Sequence, residues 1–125
     1  MNDSKAAHNE SVCDFLLHDG RWPDWVVTTA FYSALHTVRE KLFPLSVGDV
    51  TYTHFEDYCV EDHPGARQDK HQVLLSLVFE NLRPAYDSYR FLLYESKKAR
   101  YNTYCTPPPL AVKSRQHLEV VKSHC

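Results

Sequence analysis

The sequence predicts an all-α fold, an antiparallel up-and-down bundle of four main helices plus a short C-terminal helix. Apolar residues recur at three- and four-residue spacing through five segments. Prolines and glycines fall at the edges of those segments. The stretch Asp49 to His54 is too short to build a sheet. A chain of 125 residues has the length of one domain, residues 1–125. It buries about two-thirds of its unfolded surface and needs no covalent staple.

The first helix is expected from about Ser4 to His18, with His8, Val12 and Phe15 on its inner face, and Asp19-Gly20 stops it. Pro23 suits the first turn of the second helix, where a missing N–H costs nothing, and Asp24 favours the same positive end. That helix runs to about Phe43 with two stripes. One holds Trp25, Thr29, Tyr32, His36 and Phe43, the other Val27, Phe31, Leu35, Val38 and Leu42. A helix that is apolar on more than one side belongs at the centre of its bundle.

Pro44, Gly48, Pro64 and Gly65 then punctuate a polar segment, read as a long loop at about 44–66 that either holds a short helical turn around Phe55 to Val60 or is partly mobile. Periodicity resumes from Arg67 through Val73, Leu74, Leu77, Val78 and Leu82. After Pro84 a fourth helix sets Tyr86, Tyr89, Leu93, Ser96 and Arg100 on one face. Pro107-Pro108-Pro109 closes it, and Leu110 to about Ser123 forms the last helix, with Leu110, Lys113, His117 and Val121 on one side.

Apolar residues at 43% and charged residues at 24% exclude a disordered or fibrous chain. The formal charge of -2 offers no general attraction to nucleic acid or acidic lipid, so such a partner needs a local basic patch. The N-terminal stretch MNDSKAAHNES lacks a signal-peptide core, and no apolar run approaches the roughly 18 residues of a membrane span. A cytoplasmic location away from membranes is expected, with Cys13, Cys59, Cys105 and Cys125 as free thiols.

Several motifs, taken in order, carry a resemblance. They are Ala7-His8-Asn9-Glu10, Trp22-Pro23-Asp24-Trp25, Phe31-Tyr32, Leu35-His36, His63, Arg67, Ser96 and Ala99-Arg100-Tyr101. Over residues 5–123 the chain resembles the HEPN superfamily (higher eukaryotes and prokaryotes nucleotide-binding), in particular its small prokaryotic stand-alone members. The resemblance implies a helical bundle that is often a homodimer, found in toxin-antitoxin pairs, defence systems and RNA processing. Many members are metal-independent endoribonucleases, and others bind nucleotides or a cognate protein. In the nucleases an Arg is followed by a His after four to six residues. None of Arg21, Arg39, Arg67, Arg83, Arg90, Arg100 and Arg115 has that spacing: Arg67 meets His71 too early, and Cys105 stands where Arg100 would require His.

His8, Tyr32, His36 and Arg100 are the candidate catalytic residues. Converging, they would supply a proton-transfer group, a hydroxyl and an anion receptor. Each also has a plainer reading, the histidines as hydrogen-bonded packing and Arg100 as a cation at a helix C-terminus. Arg67, Lys70, His71, Lys97, Arg100 and Asn102 are the candidate phosphate-binding residues, set against ordinary solvated charge. His54, Cys59 and His63 match no standard zinc spacing. No Walker or dinucleotide motif is present, so neither metal nor cofactor is expected. A helical interaction subunit without catalysis is the competing reading.

Overall fold

A computed structural model describes residues 4–62, 70–101 and 105–125. Among these residues lie six helices and one two-stranded hairpin, a predominantly all-α architecture. Helix α1 (Lys5–Asp19) starts at Ser4, whose side chain accepts the Ala7 N–H at 3.1 Å. It stops at Gly20, which takes a left-handed φ of 85° that suits glycine, and whose N–H reaches the Leu16 carbonyl.

The inner face of α1 is not the one its larger residues suggest. Ala6 and Cys13 are buried, whereas His8 is exposed and Phe15 is 72% exposed. The reason is close approach to the next helix. Ser33 Oγ donates to the Ala6 carbonyl at 2.8 Å, and Cys13 Sγ donates to the Val26 carbonyl at 3.6 Å. Small side chains permit those contacts, while Phe15 on that face would hold the helices apart.

Helix α2 (Pro23–Leu42) is the central element and packs against α1 and three later helices. Val26, Val27, Ala30, Phe31, Ala34 and Val38 are almost wholly buried, while Trp25 turns outward at 54% exposure. The segment expected as a long loop is instead structured as far as it is described. Strands β1 (Leu45–Val47) and β2 (Val50–Tyr52) pair antiparallel, with Leu45 opposite Tyr52, and Gly48 supplies the positive φ of 60° in the tight turn. Helix α3 (Phe55–Asp62) follows and extends the short turn expected there. Ring contacts hold this lobe together, Phe43 with Phe55 at 5.8 Å and Tyr52 with Tyr58 at 5.5 Å. Strands of three residues are too brief to show alternation in a sequence.

Helix α4 (Lys70–Asn81) buries Val73, Leu74, Leu75, Leu77 and Val78. Helix α5 (Arg83–Tyr101) begins just before Pro84 and buries Ala85, Ser88, Tyr89, Leu92, Leu93 and Ser96. Helix α6 (Pro108–Ser123) is longer than expected. With 16 residues it packs along α2 and α5 as a full member of the assembly. Its buried residues are Ala111, Ser114, Leu118 and Val121, so Leu110, Lys113 and His117 sit toward the edge of its inner face.

Buried residues from all six helices join one core. Ions then tie α6 to α1. Arg115 donates to Asp14 at 2.6 Å, Glu10 at 2.8 Å and Glu119 at 3.2 Å, and Lys122 reaches Glu10 at 2.5 Å. These carboxylates raise the Arg115 pKa, first through the hydrogen bond that Asp14 accepts from it. Among the described residues no helix is long and apolar enough to cross a membrane, and the four cysteines are free.

A candidate anion-binding groove along the central helix

On α2, Tyr32, His36 and Arg39 follow one another at i, i+4 and i+7 and so share a face. This face looks into two adjoining hollows that have His36, Arg39, Phe55 and Glu56 in common. The first, about 330 Å³, is also lined by Lys5 from α1 and by His54. The second, about 420 Å³, is also lined by Tyr32, Lys70 and His71. Thr53 and His54, which follow the hairpin, and the first turn of α3 form the far wall, so the segment between α2 and α4 completes the groove.

Arg100, from the last turn of α5, reaches the groove through Tyr32. Its Nη1 donates to the Tyr32 hydroxyl at 2.6 Å, and its Nε donates to the Ser96 carbonyl at 3.2 Å. The guanidinium lies 5.3 Å from the Tyr32 ring centre, 5.7 Å from that of Phe31 and 4.9 Å from that of Tyr101. The His71 ring meets Phe31 edge-on at 5.5 Å. One phenylalanine ring thus gathers the phenol, the imidazole and the guanidinium. The last-turn position also gives Arg100 the favourable dipole interaction of a C-terminal cation, so its two roles coincide.

Charge in the groove is partly cancelled, because Glu40 as well as Glu56 lines the first hollow. Arg39 forms an ion pair with Glu56 and lies over the Phe55 ring at 5.3 Å. Hydrogen bonding to its own backbone N–H, and then to Arg39, holds the Glu56 carboxyl below its ordinary range. Lys5 and Lys70 have no carboxylate partner among the described residues. Burial, followed by the charges of Arg39 and Lys5, lowers the His36 pKa, which keeps that imidazole neutral near pH 7. A neutral ring between cations is a proton acceptor beside an anion receptor.

The chain matches no family model, no curated protein and no solved structure. Chemistry at this site therefore rests on its own geometry. Tyr32, His36, Lys70 and His71 line the groove, and Arg100 bonds to it. His8 lines neither hollow and faces solvent, because α1 turns Ala6 and Cys13 inward. Lys97 lies over the Tyr94 ring at 5.5 Å and is not part of the lining. Arg67, Asn102 and His63 fall outside the described residues. Among the described residues no three potential ligand side chains gather as a metal ion requires.

Sequence reasoning overlooked Lys5, Arg39 and Glu56 as lining residues and weighed His54 only as a metal ligand. Arg39 carried a usable signal, since it fills the gap between His36 and Phe43 in the polar stripe. Lys5, His54 and Glu56 carried none, because they come from elements that meet α2 only after folding.

Proposed function

We propose that the α2 groove binds the phosphates of RNA or of a nucleotide, and that the protein is a divergent HEPN-like domain. The observation that carries this reading is the placement of Lys5 and Lys70, neither with a carboxylate partner among the described residues, at either side of His36 in a groove that Arg100 joins through Tyr32. Lys5, Arg39, Lys70 and Arg100 set against Glu40 and Glu56 leave a local positive excess on a chain with a net charge of -2, which is what a phosphate ligand requires. His36 supplies a neutral base, and Arg39 and Lys70 supply charge stabilisation for a metal-independent cleavage of RNA. The resemblance adds a homodimer in a cytoplasmic toxin-antitoxin or defence setting.

Fluorescence anisotropy with a short labelled RNA tests the reading. Binding at low salt should weaken steadily as salt rises, and Lys5→Gln with Lys70→Gln should lower the slope by about two released counterions. Absence of binding by the folded protein at low salt would refute it. Cleavage, assayed in EDTA, should be lost in His36→Gln with helicity unchanged.

The interaction-subunit reading has its own support. Phe15 at 72%, Trp22 at 47% and Trp25 at 54% exposure place large aromatic side chains in solvent near the junction of α1 and α2, the residue type enriched at protein interfaces. Capture of a specific cognate protein, abolished by Trp25→Ser, together with no RNA binding, would establish it instead.

A further inference from the structure

A third hollow lies on the opposite side of α5 from its buried seam, between α5 and α6. It measures about 540 Å³, within the usual range for small-molecule sites, and none of its residues lines the α2 groove. Its floor is prearranged. The His117 ring stacks on Phe91 with centres 4.1 Å apart and planes 29° from parallel, and the buried Ser88 hydroxyl is 2.9 Å from His117 Nδ1. With Nδ1 engaged, Nε2 is the ring nitrogen left for a ligand. Burial, and then the charge of Lys113, lowers the His117 pKa and keeps the ring neutral near pH 7. Tyr94 adds a second ring beside it.

The charges around this floor are the informative feature. On the other side of α6, Arg115 and Lys122 are consumed by Glu10, Asp14 and Glu119. Here, among the described residues, Lys113 meets the Phe91 ring at 5.3 Å and Arg90 the Tyr94 ring at 5.3 Å, and neither forms an ion pair. Asp87 has no cation partner among the described residues, while Glu95 is taken by Lys98 at 3.3 Å. The lining therefore carries two cations and two carboxylates, and three of the four have no ion-pair partner among the described residues although they border one cavity. That balance disfavours a phosphate ester, which brings about two negative charges. It suits a ligand carrying one charge of each sign.

We propose that this hollow binds a free aromatic α-amino acid. The ligand ring packs on Tyr94 and on the Phe91 and His117 pair. Its carboxylate is received by Lys113 and Arg90, and its ammonium by Asp87. The site is independent of the phosphate reading of the α2 groove.

Titration of ¹⁵N-labelled full chain with L-phenylalanine and L-tryptophan tests this. Amide shifts should move along residues 87–95 and 113–117, and the α2 groove should remain unchanged. Phenylpropionate, which lacks the ammonium, and phenethylamine, which lacks the carboxylate, should each bind about tenfold more weakly, the scale of one charge-assisted hydrogen bond. The exposed variants Lys113→Gln and Asp87→Asn should weaken L-phenylalanine by a similar factor with unchanged circular dichroism. The proposal is overturned by the absence of shifts up to the solubility of the amino acids, or by equal binding of L-leucine or either one-charge analogue. Tighter binding of AMP in this hollow, or no effect of the two variants, would overturn it as well.

Discussion

Replacing Tyr89 with phenylalanine is expected to stabilise the protein, whereas the same change at Tyr32 should weaken it. Tyr89 is fully buried between α5 and α2, with its ring 6.0 Å from that of Phe31, and its hydroxyl has no partner among the described residues. Burial pushes its pKa upward. Leaving a buried hydroxyl unbonded costs about 1–3 kcal/mol. Removing the oxygen forfeits a handful of dispersion contacts, about 0.5–1 kcal/mol in all. The difference is a gain of about 0.5–2 kcal/mol, or roughly 2–8 °C in Tm for a domain of this size. Tyr32 is only half-buried, and its hydroxyl accepts from Arg100 at 2.6 Å, so Tyr32→Phe should cost about 0.5–1.5 kcal/mol. Urea unfolding followed by circular dichroism measures both, read as a shift in midpoint at constant m-value. A lower midpoint for Tyr89→Phe would refute the reasoning, because it would mean that the hydroxyl is bonded, for instance to an enclosed water.

Arg115→Met should destabilise the protein by about 1–3 kcal/mol, since it strips Glu10 and Asp14 of their shared partner at a partly exposed site. The loss should shrink in high salt, and a salt-independent loss would point to packing alone. The pH dependence follows from His36 and Glu56. His36 has a lowered folded pKa, so between that value and about 6.5 the unfolded chain binds more protons and stability falls as pH drops; above that window its contribution is complete. Glu56 is also lowered, so its contribution is present above the ordinary glutamate range and disappears as pH falls through its folded value. Thermal melts should therefore decline in two steps on acidification. His117, whose pKa burial also lowers, acts in the same upper window, so His36→Gln should shrink that step and His36→Gln with His117→Gln should remove it; an upper step unchanged in His36→Gln would exclude His36 as a source.

Part of the groove was visible on α2 before folding is considered. Tyr32 and His36 sit one turn apart, and a stripe that alternates aromatic and polar residues on a central helix marks a partly solvated face. The rest was not visible, because Lys5, Glu56 and Lys70 are brought to that face by α1, α3 and α4 through contacts between distant parts of the chain. His8 lies outside the groove for a related reason. Its spacing with Val12 and Phe15 is helical, but rotation about a helix axis is set by which residues let the neighbouring backbone approach.

By itself the sequence determined the helical class and most helix boundaries. Ser4, Gly20, Pro23 and the prolines at 107–109 act within one turn, through caps, a left-handed φ or a missing N–H, and need no partner elsewhere. Tertiary structure alone decided which face of α1 and α6 points inward, that residues 45–52 fold into a hairpin, and that Arg115 finds Glu10 across 105 positions. These outcomes depend on close packing and on charges meeting through space. Neither leaves a periodic trace along the chain when the apolar stripe is short and the partners are far apart in sequence.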